Sequence, residues 1–497
     1  MASKRHVARL EHNGDRTSLV VDDSPYLILG LQLDCDSTYE PSTIDNLLHQ
    51  TRRLNANTAA CPLYWRAIEP EEGSYDFSLL QQMIDSAERY NLRLVLLWFG
   101  AIKNGYTHYA PDWVQQDGAR FRRAVNADGA ELAFTACVTC RDTLNKDRDA
   151  VTAVFSYLRE RDESGRVILF QVNNETGLFG SDRCYCTECN HQFESGAFHS
   201  LGERAAETFS ASTNLQYQES IAEAAKAIYP LPCYMNAWLG KYTPLERPGV
   251  DYPSGGPVHR VLDIYKQQRS AIDFVAPDIY TPSYFDFTRI CLDYSSDRNP
   301  LYVAEHAIGT RGRAGVNAYY AFGEHAAIGF DPWAIDCAFP NRMESPPYDL
   351  VTGQFSEAAF DLQRAYTPLS DAMVPIAQAQ GTDRLRFWVQ ESTDTYRILE
   401  FGDVSIRVDF GDERLGTSRG MAIRMGTDRF IVLGEMADVS FHDRSGASLA
   451  ILKSQQGRFA GEEFVPERRN AVSWTSRAEV LWMRGPCVVA IQLNHPA

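Results

Sequence analysis

The chain has 497 residues, of which 44% are hydrophobic and 23% are charged, and these proportions are ordinary for globular proteins. Its formal net charge at pH 7 is −17. An acidic surface repels phosphate groups, so this charge argues against nucleic acid or an anionic membrane as a partner and favours a neutral ligand. No apolar stretch in the sequence reaches the roughly 20 residues that cross a bilayer.

The N-terminal segment and the cysteines bear on the compartment. Residues 1–10 carry several positive charges, but polar residues 11–16 follow where a signal peptide has its apolar core. The chain has 11 cysteines, and an odd number in a long chain does not suggest a secreted disulfide framework. We therefore expect a cytoplasmic protein.

Apolar runs alternate with amphipathic segments along the first two thirds of the chain. The predicted strands are residues 27–33, 58–64, 93–99, 167–173, 233–238, 274–280, 301–304 and 327–330. The predicted helices between them are residues 44–55, 78–90, 148–161, 215–228, 258–272 and 314–325. This alternation predicts an α/β fold, a (β/α)8 TIM barrel. A doubly wound open sheet is the alternative, but no Gly-rich phosphate loop follows the first predicted strand.

Two connections are far longer than the usual two to six residues. They are residues 100–147 and 178–214, and they follow the third and fourth predicted strands. Loops of this length at a barrel mouth generally carry function. We expect them to build a rim over the carboxyl ends of the strands.

After a predicted helix at residues 355–373, apolar and polar residues alternate with a period of two. The runs are residues 384–389, 396–401, 404–410, 421–425, 429–433, 480–483 and 487–493. Gly and Asp turns separate them, which is typical of antiparallel sheets. We therefore expect a barrel domain at residues 1–375 and a β-sandwich domain at residues 376–497.

Two of the predicted barrel strands end in a glutamate. The fourth runs into Asn174-Glu175, and the seventh runs into Glu305. A carboxylate is unfavourable within a strand that is buried on both faces. At the carboxyl end of the strand, by contrast, side chains open into the mouth of a barrel. Each Glu taken alone is more simply a surface residue, but their occurrence on strands four and seven favours a functional pair.

Paired carboxylates of this kind cleave glycosidic bonds. One acts as a protonated acid and the other as an ionised nucleophile, about 5 to 5.5 Å apart in retaining enzymes. We assign the acid/base role to Glu175, because the amide of Asn174 beside it can bind the sugar hydroxyl next to the reacting carbon. Glu305 is then the nucleophile.

Several segments resemble a known family. The segment around Glu175, Gln-Val-Asn-Asn-Glu-Thr-Gly, is similar to the acid/base strand of retaining β-galactosidase families 35 and 42. Residues 65–77 are similar to the second-strand signature of these families, and residues 276–280, 316–323 and 328–333 resemble their later barrel segments. The resemblance covers roughly residues 25–375. It implies a retaining exo-β-glycosidase, foremost a β-galactosidase that releases terminal β-linked galactose from oligosaccharides.

Aromatic residues at strand ends support a saccharide site. The tryptophans at or next to the carboxyl ends of predicted strands are Trp65, Trp98, Trp238 and Trp333. Flat rings stack on the apolar face of a sugar, although a single Trp is more often core packing. The resemblance favours Trp333 as the platform, with Trp65 and Trp98 as further contacts. Tyr280 is expected to hydrogen-bond Glu305 and hold it ionised, while Asp278 and His306 are secondary candidates.

A thiol cluster follows Glu175 in the second long loop. Cys184, Cys186 and Cys189 lie within six residues, a spacing that suits thiolates on a tetrahedral zinc better than disulfides. We expect Cys140 to be the fourth ligand, with Cys137 in reserve. Some members of family 42 carry a similar four-cysteine zinc cluster, and four thiolates leave no open position, so the zinc would be structural.

The sequence thus predicts a glycosidase that acts on a neutral oligosaccharide or glycoside, with structural zinc and no organic cofactor. The sequence is also compatible with a homo-oligomer. The alternatives are another β-specificity (glucosidase, fucosidase or arabinosidase) and a catalytically silent barrel that binds saccharide. A zinc hydrolase is disfavoured because the thiol cluster is saturated.

Overall fold

Buried apolar runs form the strands of a parallel barrel. The structure is a computed structural model that describes residues 7–14, 16–240, 243, 245–308, 313–337, 346–411, 416–469 and 479–494. The barrel strands are Ile28–Gln32, Thr58–Tyr64, Arg93–Phe99, Val167–Gln171, Cys233–Trp238, Phe274–Ile279, Tyr302–Val303 with Glu305–His306, and Gly329–Phe330. Their order around the sheet follows the chain, which confirms the predicted barrel.

The seventh strand is split into two short segments, and together they close the barrel. Tyr302–Val303 pairs with Gly329–Phe330 in the eighth strand, which itself pairs with Ile28–Leu29 in the first. Glu305–His306 pairs with Asp278–Ile279 in the sixth strand. The split therefore places Glu305 directly beside the end of the sixth strand.

Helices cover the outside of the barrel. They are Pro41–Arg53, Trp65–Ile68, Ser78–Arg89, Asp112–Gln116, Arg141–Arg161, Thr187–Ser195, Ala205–Ile228, Leu262–Gln268, Tyr284–Asp293, Ala314–Gly323, Glu357–Asp371 and Met373–Ala379, with a 3-10 segment at Ala197–Arg204. In Ser78–Arg89 the apolar residues at spacings of three and four are the buried ones: Leu80, Met83, Ile84 and Ala87. The predicted helices all exist, but five further helices were not predicted: Trp65–Ile68, Asp112–Gln116, Thr187–Ser195, Tyr284–Asp293 and Met373–Ala379. In the described part of the chain no helix is both long and apolar enough to traverse a bilayer.

An antiparallel ribbon precedes the barrel. Its strands are Arg9–Asn13, Arg16–Val21 and Ser24–Tyr26. The buried side chains of Leu19 and Val21 pack with residues of the barrel interior. The ribbon therefore closes the end of the barrel where the strands begin, and leaves the opposite end for a site.

The C-terminal strands form two antiparallel sheets. They are Leu385–Val389, Tyr396–Glu400, Val404–Phe410, Arg419–Arg424, Arg429–Glu435, Ala437–Asp443, Ile451–Ala460, Glu463–Arg469, Val480–Met483 and Cys487–Leu493. Six of them make one sheet and four the other, and a separate apolar core lies between them. The predicted β-rich C-terminal region is confirmed, with three strands beyond those expected. Two short strand pairs, Arg123–Val125 with Glu131–Ala136 and Tyr348–Asp349 with Gln354–Phe355, lie in connections.

Candidate active site

A cavity of about 690 Å³ opens at the carboxyl ends of the barrel strands. Glu175 and Glu305 both line it, and each is only 7% exposed. Lys103 and Asn104 reach it from the first long loop. This size falls within the usual range for small-molecule sites.

The first long loop is therefore a wall of the mouth, as predicted. The second long loop contributes to the wall indirectly, since Phe179 packs edge-on against Trp238 with ring centroids 5.4 Å apart, and Trp238 lines the cavity. The backbone N–H of Asn104 also donates to the carbonyl of Asn174, at 3.0 Å, which ties the first loop to the end of the fourth strand.

Glu175 and Glu305 lie close together although they are far apart in sequence. A carboxylate oxygen of each, and one of Asp278, all fall within 4.8 Å of one another. Retaining glycosidases place their two carboxyl groups about 5 to 5.5 Å apart, whereas inverting enzymes leave roughly 6.5 to 9.5 Å for a water molecule. The observed separation suits direct attack on a sugar carbon.

Four donors surround the carboxylate of Glu305. The hydroxyl of Tyr280 donates to Oε2 at 2.7 Å. Side-chain amides of Gln32, Asn174 and Asn236 donate to Oε1 at 3.3, 3.4 and 3.4 Å. Hydrogen bonds to the charged form favour it, so this set stabilises an ionised Glu305.

Glu175 has a different environment. Its backbone is left-handed, with φ 45°, and its N–H donates to Oδ1 of Asn236 at 2.8 Å. Burial and the negative charge of Glu305 raise the pKa of Glu175 to about 8. A carboxyl that keeps its proton near neutral pH thus stands beside one that accepts four hydrogen bonds, and this difference suits the separate roles of acid and nucleophile.

Lys103 is a half-buried cation in this acidic pocket. Its ammonium group donates to the side-chain carbonyl of Asn104 and lies 4.8 Å from the centroid of Phe99. Burial lowers the pKa of Lys103, but the neighbouring acidic groups Cys35, Glu175 and Glu305 outweigh this and raise it above its ordinary value. Lys103 therefore carries a positive charge next to the carboxylate pair.

The predicted aromatic contacts divide into two groups. Trp333 is half-buried and lines the cavity, edge-on to Tyr280 with centroids 6.4 Å apart. Trp65 and Trp98 are completely buried and do not line it, so their assignment to substrate is wrong. Their indole N–H groups donate to Glu69 and Asp147, at 2.8 and 2.7 Å, in the layer between barrel and helices. Side chains alternate along a strand, and the neighbours of these residues point inward instead.

Three further polar residues of the site were not anticipated from sequence, namely Gln32, Lys103 and Asn236. Gln32 and Asn236 interrupt apolar strands, and a polar residue in such a run is the signal that would have found them. Asn174 was expected to contact sugar, and the structure places its amide against Glu305. His306 is fully buried, with Nε2 3.1 Å from the amide of Asn317, and is not part of the cavity wall.

Four buried thiols cluster beside the mouth. They are Cys137, Cys184, Cys186 and Cys189, and their sulfur atoms all lie within 4.8 Å of one another. The sulfur of Cys137 is 3.6 to 3.8 Å from the other three. Bonds of about 2.3 Å to a tetrahedral zinc imply sulfur separations of about 3.8 Å, so the donor set fits that ion.

Cys140 does not belong to this cluster, which corrects the predicted fourth ligand. Its thiol points away and donates to the carbonyl of Arg120 at 3.4 Å. Cys140 directly precedes the helix Arg141–Arg161, and Cys137 lies three residues earlier in the sequence. The hydroxyl of Thr139, 3.2 Å from the sulfurs of both Cys137 and Cys189, completes the contact between the two loops.

Comparison with known sequences agrees with this geometry. Residues 38–213 match the family model of glycoside hydrolase family 42, described as beta-galactosidase, and residues 362–471 match a domain of unknown function, DUF5597. Beta-galactosidase LacZ of Lactobacillus acidophilus is 22% identical over 147 residues, which are 29% of this chain and 20% of that protein. Beta-galactosidase GalA of Bacillus licheniformis is 27% identical over 155 residues, 31% of this chain and 21% of that protein. The matched stretch spans about a fifth of the length of these relatives.

Solved structures share the fold. A catalytic mutant of Gan42B, a GH42 beta-galactosidase from G. stearothermophilus, superposes with a TM-score of 0.55 at 11% identity, over 94% of this chain and 98% of that one. The beta-galactosidase from Bacillus circulans sp. alkalophilus gives 0.53 at 16% identity, over 69% of this chain and 56% of that one. In its fold and in the sequence of residues 38–213, this chain resembles the β-galactosidase-like glycoside hydrolases of family 42.

Proposed function

We propose that this protein is a retaining exo-β-glycosidase, and specifically a β-galactosidase. The observation that carries the proposal is the pair formed by Glu175 and Glu305, within 4.8 Å of each other in one cavity. Their different surroundings support different roles, because four donors face Glu305 while burial keeps a proton on Glu175.

The first step forms a glycosyl-enzyme. A carboxylate oxygen of Glu305 attacks the anomeric carbon as the bond to the leaving oxygen breaks, and Glu175 gives its proton to that oxygen. The hydroxyl of Tyr280 donates a hydrogen bond to Glu305 and orients it before the attack. The aglycone leaves as a neutral alcohol, and Glu175 becomes a carboxylate.

The second step releases the sugar. Glu175, now ionised, takes a proton from a water molecule whose oxygen attacks the anomeric carbon and displaces Glu305. Two inversions give net retention of the β-configuration. Trp333 supplies a flat face at the cavity wall on which a sugar ring can stack.

The thiol cluster is proposed to hold a structural zinc. Cys137, Cys184, Cys186 and Cys189 supply four sulfur ligands and leave no position for water, so the ion would brace the loops and take no part in the chemistry. None of the 11 cysteines, all of which lie in the described part of the chain, forms a disulfide. Free thiols support the proposal of a cytoplasmic protein.

A panel of nitrophenyl β-glycosides tests the proposed activity and its specificity. We expect turnover of the galactoside ahead of the glucoside, fucoside and arabinoside. In Glu305→Ala we expect kcat to fall by several orders of magnitude and azide to restore part of it by replacing the missing nucleophile. Undiminished turnover by Glu305→Ala would remove this residue from the role, and binding of sugar without any turnover by the wild type would favour a silent barrel.

A further inference from the structure

Asp278 is a third carboxylate in the site, and double displacement between two glutamates does not require it. It is the penultimate residue of the sixth barrel strand, pairs in register with Glu305 and lines the cavity. It is 3% exposed, and one of its oxygens lies within 4.8 Å of both glutamates. A buried acid beside two others costs free energy of folding, so its presence needs an explanation.

The two oxygens of Asp278 have different partners. Oδ2 accepts a hydrogen bond from the amide of Asn236 at 2.8 Å. Oδ1 is buried and accepts no hydrogen bond from an N–H or hydroxyl donor among the described residues, while the carboxyl of Asp278 also lies within hydrogen-bonding reach of the carboxyl of Glu175. Buried polar atoms are nearly always satisfied, so an unsatisfied oxygen on a cavity wall marks the place where a polar group of a ligand belongs.

The charges around Asp278 determine which hydrogen bond it can make. Three carboxylates meet within 4.8 Å, and Lys103 adjoins them in the cavity wall, which Arg289 also lines. Glu305 has four donors, whereas Asp278 has one, so Glu305 is the better site for the negative charge. Burial and the charges of Glu305 and Glu175 hold the pKa of Asp278 well above its usual range. Asp278 thus keeps its proton and has an O–H to donate.

We propose that Asp278 is a specificity-determining residue whose protonated carboxyl donates a hydrogen bond from Oδ1 to one hydroxyl of the sugar bound beside Glu305. This inference rests on the proposed glycosidase function. A neutral donor at this position would hydrogen-bond a substrate hydroxyl without adding another negative charge to the pocket. An analogue that lacks that hydroxyl would lose this hydrogen bond to the enzyme and would be disfavoured.

Two substitutions separate this role from a structural one. Asp278→Asn keeps an oxygen that accepts from Asn236 and places an N–H donor where the carboxyl O–H stands. Asp278→Ala removes both groups. Asn236 also bonds Glu175 and Glu305, so a merely structural Asp278 would affect every substrate to the same degree.

The experiment measures kcat/KM for the wild type and both variants on nitrophenyl β-galactoside and its 2-, 3-, 4- and 6-deoxy analogues. We expect Asp278→Ala to lose roughly 10- to 100-fold on the parent substrate and almost nothing on one deoxy analogue, the one that lacks the contacted hydroxyl. We expect Asp278→Asn to retain most of the wild-type value. An equal loss on every analogue would overturn the contact, and an Asp278→Asn variant as impaired as Asp278→Ala would overturn the donor role.

Asp331→Asn is the matched control. Asp331 is also a fully buried barrel carboxylate with an unsatisfied Oδ1, but it lies outside the cavity wall and accepts from Tyr302 at 2.7 Å. Its substitution should not change the ranking of the deoxy analogues. If the wild type cleaves a different β-glycoside, the proposed β-galactosidase fails while the Asp278 test proceeds with that sugar and its deoxy series.

Discussion

At the scale of single residues, the site is a balance of charges in a small volume. Glu175, Asp278 and Glu305 are all buried, and Lys103 lies next to them in the cavity wall. In such a pocket the removal of one charge changes the proton affinity of the others. The predicted consequences are therefore shifts in pH dependence as well as losses of rate.

Lys103→Met should move the pH profile in a defined direction. The positive charge of Lys103 lowers the pKa of Glu175, so its removal raises that pKa. The alkaline limb of kcat/KM reports loss of the acid's proton, and we expect it to shift to higher pH. The measurement is a pH–rate profile of the variant. Lys103→Arg retains the charge and should leave the limb near its original position, whereas a limb that moves to lower pH in Lys103→Met would contradict the charge balance.

Glu175 should also make stability depend on pH. Its pKa is about 8 in the folded protein, against an ordinary value of 4.5, so the unfolded chain loses the proton first. The stability that this group contributes is present below pH 4.5 and is lost as pH rises through about 8. Relative to wild type, Glu175→Gln should gain stability over this window, by at most about 1.4 kcal/mol for each pH unit. Denaturant unfolding at pH 5 and pH 8 measures it, and a difference that shrinks with pH would contradict the assignment.

The sequence predicted some of these residues and not others, for a physical reason. Glu175, Tyr280, Glu305 and Trp333 stand at strand ends, and the barrel brings strand ends together. Trp65 and Trp98 stand at strand ends as well, but they point to the outside of the barrel, and the sequence alone did not reveal that one-residue change of face. The amide partners of Glu305 come from the first and fifth strands and from the segment that follows the fourth, so they depend on the closure of the sheet.

At the scale of elements, the thiol cluster joins the two long loops. Cys137 comes from the first loop and the other three thiols come from the second. Spacing in the sequence identified the second set, but it did not distinguish Cys137 from Cys140, which are three residues apart. The turn before the helix Arg141–Arg161 decides between them, because it directs Cys140 toward Arg120.

Metal content should follow this geometry. We expect about one equivalent of zinc in the purified wild type, and we expect Cys137→Ser to lose most of it because a ligand is removed. Cys140→Ser is the matched control and should keep its zinc. Elemental analysis measures both, and less than half an equivalent in the wild type would exclude the zinc site. Equal loss in the two variants would contradict the assignment of Cys137.

Element types were more predictable than their bounds. Thr58–Tyr64, Arg93–Phe99 and Cys233–Trp238 have the predicted ends because Gly, Pro or polar residues flank apolar runs. The ribbon at Arg9–Val21 was not predicted, since its short strands have little apolar alternation and gain their stability by packing under the barrel. The local sequence pattern does not show that a strand is stabilised by packing against distant parts of the chain.

At the scale of the whole molecule, a buried ion network joins the barrel to the C-terminal sheets. Arg419, 1% exposed, donates to Asp361 on the helix Glu357–Asp371 at 2.8 Å and to Glu435 on the neighbouring strand at 2.8 Å. Arg364 of the same helix also pairs with Glu435, at 2.5 Å. The network fixes the helix against the sheet.

Arg419→Met should destabilise the protein strongly. It leaves the buried carboxylate of Glu435 with less compensation, and removing one partner of a buried pair costs about 3 to 5 kcal/mol. Arg397→Met is the control, because Arg397 is half exposed in its pair with Asp394 and exposed pairs contribute about 0 to 1 kcal/mol. Thermal and denaturant unfolding measure the difference. Similar midpoints for the two variants would show that the network does not hold the two parts together.

The central claim is that two glutamates from opposite halves of the barrel sequence converge on one glycosidic bond, with Glu305 as the nucleophile. Inactivation with a 2-deoxy-2-fluoro-β-galactoside, followed by mass spectrometry of the digested protein, tests it most directly, since this reagent traps the glycosyl-enzyme. We predict one label per chain on the peptide that contains Glu305. A label on another carboxylate would contradict the account.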